Sequence, residues 1–230
     1  MNACLIIPAG GQGQRFGGGL PKQFEMLGDA PILIQTIRAF EKVSAIKSIV
    51  IATMPHWIKH TFGILNSYPT KKTFRVVNSG NARQDSINNA LQTDEAQKSQ
   101  IILIHDSVRP FPSTEHIKDL ITIAQSKGCA IPAITPTDTI KMLNVGKKPI
   151  LTLERSRLRA VQTPQVFQTE LLLEVYKKAM KEKIYSTDDS ALFEAMGHHV
   201  EIVEGEDINI KITTQKDFKL AQLIISEMKR

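Results

Sequence analysis

The sequence predicts an α/β fold, a mainly parallel sheet with helices on both faces. Three observations predict it. Strand-like and helix-like segments alternate along the chain, the order that builds a parallel sheet. Two strand-like runs, Ala3 to Ile7 and Ile101 to Ile104, are apolar throughout, as strands covered on both faces must be. The first run empties into a glycine-rich loop with Arg15 and Lys22, and a strand ending in such a loop is a recurrent anion site in these sheets.

After that loop, Ile32 to Glu41 places Ile34, Ile37 and Phe40 at helical spacing. Ser48 to Thr53 predicts the second strand, and His56 to Leu65 a helix opened by Pro55, whose missing N–H costs nothing there. Phe74 to Val77 is a third strand. Asp85 to Leu91 begins a helix, with Gln84-Asp85-Ser86 supplying caps and early negative charge. Ile101 to Ile104 leads into His105-Asp106-Ser107-Val108-Arg109-Pro110. Ligands gather beyond the carboxyl ends of parallel strands, so Asp106 and Arg109 are candidates. A helix from Thr114 to Lys127, closed by Gly128, and a strand from Cys129 to Ile134 follow.

The texture then changes. From Thr135 to Gln162, β-branched residues, prolines and charges alternate around a turn at Asn144-Val145-Gly146, which predicts two antiparallel strands projecting from the body. Such a hairpin is marginal alone in water, so it is expected to pack on another subunit. The tail returns to helices at Thr169 to Lys181 and at Thr187 to Met196, the latter opened by Thr-Asp-Asp. Val200 to Val203 is a strand, Asn209-Ile210-Lys211-Ile212 a short apolar segment with one lysine, and Thr214 opens a final helix. The chain is expected to form one domain over 1–230, with an arm at about 135–160.

Composition narrows the function. With 230 residues, 42% hydrophobic and 23% charged, the chain fits a soluble globular protein. No apolar run reaches the roughly 18 residues a membrane span needs. The first eight residues show neither a charged front nor a cleavage site. Cys4 and Cys129 lie in apolar stretches without metal-ligand spacing, as reduced core cysteines do; the expected compartment is the cytoplasm. A net charge of +6 suits acidic partners. Aromatic content is only 6% and no basic run is interleaved with aromatics, which points to a small anion rather than nucleic acid.

Six glycines between Gly10 and Gly19 let backbone N–H groups point at an anion. Neither common phosphate motif fits. Counted from Gly11, the third glycine of the dinucleotide fingerprint is Phe16, and Lys22 is followed by Gln23 rather than by Ser or Thr.

Seven motifs in order carry a resemblance. Pro8-Ala9-Gly10-Gly11-Gln12-Gly13-Gln14-Arg15 is followed at fixed distance by Pro21-Lys22-Gln23; then come Gly80-x-x-Arg83-x-x-Ser86, His105-Asp106-x-x-Arg109-Pro110, Asp138-Thr139-x-Lys141, Arg155 eight residues before Thr163-Pro164-Gln165, Thr187-Asp188-Asp189, and Asn209-Ile210-Lys211-Ile212-Thr213. Together they resemble the 2-C-methyl-D-erythritol 4-phosphate cytidylyltransferase family over nearly the whole chain. Two positions depart from its pattern: Gly10 stands where alanine is usual, and Ser79 where a glycine often precedes Gly80.

The resemblance implies a Rossmann-like sheet, a homodimer joined through the arm, CTP and a sugar-alcohol phosphate as partners, and magnesium (Mg2+) as cofactor. It implies Arg15 and Lys22 on the triphosphate, and Arg155 and Lys211 on the phosphate of the second substrate, as the catalytic cations. Pro8, Ala9, Gly10, Gly11, Gly80, Asn81, Ser86, Asp106, Ser107 and Arg109 would form the nucleotide site; Asp106, Thr139, Arg155, Thr163, Thr187 and Lys211 the second-substrate site; Asp106 would hold the metal. His105 is expected to hydrogen-bond beside the site rather than to move a proton. A sister family acting on ribitol 5-phosphate shares the loop, the His105 motif and the Asn209 motif, and a nucleotide- or nucleic-acid-binding module without turnover is the reading from another class.

Overall fold

A computed structural model describes residues 1–11 and 20–228, so Arg15 and the centre of the glycine-rich loop lie outside the described residues. Strand β1 (Ala3–Pro8) is followed by a short ladder of β2 (Met26–Leu27) and β3 (Ala30–Pro31), then by α1 (Ile32–Glu41), β4 (Ile46–Thr53), α2 (Ile58–Ser67) and β5 (Thr73–Asn78). Next come α3 (Arg83–Leu91), α4 (Asp94–Gln97), β6 (Ile101–Ile104), α5 (Thr114–Lys127) and β7 (Cys129–Ile134). The arm carries β8 (Lys141–Leu143) and β9 (Pro149–Thr152); β10 (Ala160–Val161), β11 (Gln165–Gln168), α6 (Thr169–Glu182), α7 (Asp189–Ala195), β12 (Glu201–Glu204) and α8 (Gln215–Met228) complete the chain.

One sheet runs β5-β4-β1-β6-β11-β7-β12, with β10 also on β7. Its pairs are parallel except those made by β10 and β11. Leu5 and Ile7 pack toward α1, α2 and α5, while Cys4 and Ile6 pack toward α3, α4, α6 and α7, because successive side chains of a strand point to opposite faces. The helices therefore cover both faces, as expected. From β1 the chain steps to β4 and β5 on one side and returns to β6 on the other, which opens a crevice at the carboxyl ends of β1 and β6.

β11 differs from the sequence expectation. The sequence assigns no element to Gln165 to Gln168, yet this stretch fills the sheet between β6 and β7, antiparallel to both. β10 and β11 lie along the same strand, and two extra residues are accommodated between the pairs Val161↔Ala133 and Val166↔Ala130. Thr163 lies within this insertion, and its hydroxyl oxygen accepts from the Asp106 N–H at 3.1 Å.

The arm is a two-stranded hairpin pairing Lys141 with Thr152 and Met142 with Leu151. Its apolar side chains stand in solvent, with Leu143 50%, Ile150 58% and Leu151 51% exposed. Both cysteines are free and buried, and burial pushes the Cys4 thiol up to about 12. Among the described residues no helix is long and apolar enough to cross a membrane.

Candidate active site

A cleft of about 330 Å³ opens at the carboxyl ends of β1, β5 and β6. Among the described residues its charged lining is Lys22, Arg83 and Lys211 against one carboxylate, Asp106. Pro8, Gly10 and Gly11 form one wall, Gly80 to Ala82 with Ser86 another, and Asp106 to Val108 the floor. The cleft therefore gathers Lys22, Lys211, Asp106, Ser107, Asn81 and the wall residues that the sequence singled out.

Local chemistry builds each wall. Gln23 is 2% exposed, and its Nε2 donates to the Ala9 carbonyl at 2.7 Å and toward that of Gly11 at 3.4 Å, which pins the loop entry beside Lys22. Ser86 Oγ accepts from the Gly80 N–H and donates to the Ala82 carbonyl, both at 3.0 Å. A Cβ on Gly80 would meet the Asp85 Cβ at 2.2 Å, so this turn closes only with glycine there.

The floor is fixed from behind. His105 is fully buried and its Nε2 lies 2.8 Å from the Arg109 carbonyl. A carbonyl can only accept, so Nε2 carries the hydrogen and Nδ1 receives the Thr163 hydroxyl at 3.0 Å. Thr163 Oγ1 in turn accepts from the Asp106 N–H at 3.1 Å. Burial lowers the His105 pKa to about 4, so the ring is neutral at physiological pH and works as the hydrogen-bonding support the sequence predicted.

Asp106 Oδ2 receives Lys211 Nζ at 2.9 Å and Arg109 Nε at 3.1 Å. Burial alone would raise its pKa; the charges of Lys211, Arg83 and Arg109 outweigh it and hold the carboxyl well below the usual range. Lys211 owes its direction to its neighbours. Ile212 is fully buried in a small core with Val108, Leu27 and Ile32, and its N–H bonds the Val108 carbonyl at 3.0 Å. Asn209, also fully buried, donates from Nδ2 to the Thr163 carbonyl at 2.9 Å. With both flanks held, the lysine between faces the cleft.

Several expected residues stand elsewhere. Ala9 does not line the cleft, because its N–H goes to the Ala52 carbonyl and its own carbonyl to Gln23. Arg109 lies behind Asp106, its Nη1 donating to the Asn209 carbonyl at 2.8 Å, so it supports the carboxylate rather than presenting a charge to a nucleotide. Thr163 is a correction as well: it is 6% exposed and its one hydroxyl hydrogen goes to His105, so it cannot be a donor to a substrate. Thr139 and Arg155 sit on the exposed arm, where Arg155 Nη1 donates to the Thr137 carbonyl at 2.6 Å. Thr187 is exposed and outside the cleft lining.

Sequence reasoning missed Arg83. It lines the cleft and pairs with the buried Asp189 at 2.6 Å; its place inside the Gly80–Ser86 motif was the available signal. A metal ion would find little protein here. Among the described residues no three His, Cys, Asp or Glu side chains cluster, and Asp106 is the single carboxylate on the wall. Its ionised hard oxygens fit magnesium, which commonly takes one or two carboxylates and completes its shell with phosphates and water.

The chain matches the model of the 2-C-methyl-D-erythritol 4-phosphate cytidylyltransferase family over residues 3–227. A protein of that name from Bacillus cereus is 39% identical over 226 residues, covering 98% of this chain and 99% of the relative. Among solved structures, 4-diphosphocytidyl-2C-methyl-D-erythritol synthase from Anaerococcus prevotii superposes with a TM-score of 0.84 at 29% identity, covering 98% of this chain and 96% of that one. A 2-C-methyl-D-erythritol 4-phosphate cytidylyltransferase from Thermus thermophilus gives 0.79 at 30% identity, covering 98% and 100%. Motifs, sheet order and comparisons agree, and the chain belongs to the 2-C-methyl-D-erythritol 4-phosphate cytidylyltransferase family.

Proposed function

We propose that the chain transfers CMP from CTP to 2-C-methyl-D-erythritol 4-phosphate, as a magnesium-dependent homodimer that completes each site with the neighbour's arm. One observation carries the reading of the site: a cleft whose described lining sets Lys22, Arg83 and Lys211 against Asp106 alone. That excess of positive charge suits two polyanions that must meet.

The attacking group is a phosphate monoester oxygen. Its second pKa is about 6, so it is largely dianionic at neutral pH and needs no general base. A bond forms from that oxygen to the α-phosphorus of CTP, the α–β bridging bond breaks, and pyrophosphate leaves with the electron pair. His105 is buried with both ring nitrogens engaged, which agrees with a reaction free of side-chain proton transfer.

Catalysis is then positioning and charge stabilisation. Lys22 and Lys211 reach the cleft from opposite ends of the sequence, to hold the triphosphate and the incoming phosphate respectively. Arg15 would share the triphosphate with Lys22, and Arg155 of the neighbouring arm would share the incoming phosphate with Lys211. Gly80, Asn81 and the Ser86-held turn cradle the nucleotide. Magnesium bound with the triphosphate would neutralise its oxygens, with Asp106 as the protein ligand.

Turnover with CTP and magnesium tests the reading. Pyrophosphate release with 2-C-methyl-D-erythritol 4-phosphate and little with ribitol 5-phosphate is expected. Preference for ribitol 5-phosphate overturns the substrate, and no release with either overturns the activity.

A further inference from the structure

Three consecutive residues at the start of α3 grip a segment about a hundred positions further along. Gln84 is 5% exposed and uses both ends of its amide: Nε2 donates to the Ile184 carbonyl at 2.8 Å, and Oε1 accepts from the Ser186 N–H at 3.1 Å. Arg83 pairs with Asp189, which is 2% exposed and whose other oxygen accepts from the Tyr176 hydroxyl. Asp85 accepts from the Tyr185 hydroxyl through Oδ1 at 2.9 Å and from the Ala82 N–H through Oδ2 at 2.9 Å.

The same turn is the nucleotide wall, since Asn81, Ala82 and Arg83 line the cleft. Each gripping residue therefore links that wall to the segment 184–189, which carries Thr187. An Arg–Asp pair with its carboxylate buried and its arginine part-exposed is a poor way to gain stability compared with apolar packing. What it does supply, together with a two-ended amide, is direction: bonds of fixed length that a shifted segment cannot keep.

We propose that Arg83, Gln84 and Asp85 are positioning residues for the second substrate, holding the 184–189 segment at a set distance from the bound nucleotide. The inference rests on the proposed function together with the expectation, from the family resemblance alone, that Thr187, outside the cleft lining, contacts 2-C-methyl-D-erythritol 4-phosphate. Loosening the grip moves the segment and leaves the wall, which Ser86 holds by its own bonds.

Steady-state kinetics on the full-length chain test it, with Gln84→Met, Tyr185→Phe and Thr187→Ala beside the wild type. Gln84→Met keeps the length and removes both hydrogen bonds; the KM for 2-C-methyl-D-erythritol 4-phosphate should rise about tenfold while that for CTP stays within about twofold. Tyr185→Phe should shift the same constant by about threefold. A residue that only stabilises the fold would lower Tm and leave both KM values alone well below melting. Equal changes in the two KM values, or none, overturn the proposal. Tyr185 is 56% exposed, so Tyr185→Phe folds and decides the matter if Gln84→Met does not. An unchanged KM for the sugar phosphate in Thr187→Ala removes the Thr187 contact alone, and the other two variants still judge the grip.

Discussion

A Cβ placed on Gly10 would lie 2.7 Å from the Cβ of Ser79 and 2.8 Å from its Oγ. These two positions depart from the pattern the chain resembles, and they face each other. Alanine opposite glycine and glycine opposite serine fill the same gap, with the side chain moved from one wall to the other.

The pair predicts a double-mutant cycle. Gly10→Ala alone overpacks the contact and should cost about 1–3 kcal/mol, with a raised KM for CTP because Gly10 lines the cleft. Adding Ser79→Gly makes room and should recover most of both losses. Urea unfolding and CTP kinetics measure the four corners; simple additivity means the two positions do not interact.

Lys211 is the described cation whose removal is cleanest to interpret. Asp106 keeps Arg109 at 3.1 Å when Lys211 is gone, so Lys211→Ala should fold with a Tm close to wild type. Its kcat should fall by roughly 10²–10³, the usual cost of one stabilising donor. A kcat within about threefold of wild type removes Lys211 from the transition state.

Asp217 predicts a pH effect on the segment that carries Lys211. Its Oδ2 accepts from Thr213 N at 2.8 Å, Thr213 Oγ1 at 2.7 Å and Thr214 N at 2.7 Å, at the start of α8. Burial would raise its pKa, but these bonds prevail and lower it. A lowered carboxyl pKa contributes stability above the unfolded value, and that contribution disappears as pH falls through the folded one. Asp217→Asn should therefore cost about 1 kcal/mol at neutral pH, and the two proteins should converge in denaturant midpoint below about pH 4. A gap that persists in acid rules out the charge as its source.

The exposed arm predicts complementation between dead chains. Arg155 stands on the arm and Lys22 in the cleft; in the proposed dimer, Arg155→Ala and Lys22→Ala would each disable a site made from two chains. Mixed after unfolding and refolding together, they should recover up to about a quarter of wild-type activity, because one intact site forms in each of the half of dimers that are mixed. Heterodimers that form, by mass spectrometry, and remain inactive end the shared-site reading.

Much of this protein was determined by the sequence alone. The apolar runs at Ala3 to Ile7 and Ile101 to Ile104 specify buried parallel strands, because nothing else hides such runs on both faces. The aspartate after β6 was legible from its place beyond the carboxyl end of an apolar strand, whereas Lys211 and the turn at Gly80 were legible only through the resemblance of their motifs, since a lysine between two isoleucines on its own suggests a solvent-facing side chain. Tertiary structure decided the rest. β11 was hidden because four residues beginning and ending in glutamine show no burial until two neighbouring strands enclose them. Thr163 looked like a donor to substrate until His105, 58 positions away in sequence, took its hydrogen. Arg83 became a cleft cation, and Gly10 and Ser79 one contact, only once folding brought distant residues together. Periodicity records what a residue's own strand or helix requires, whereas the partner of a hydrogen bond or a methyl group is chosen by the three-dimensional packing.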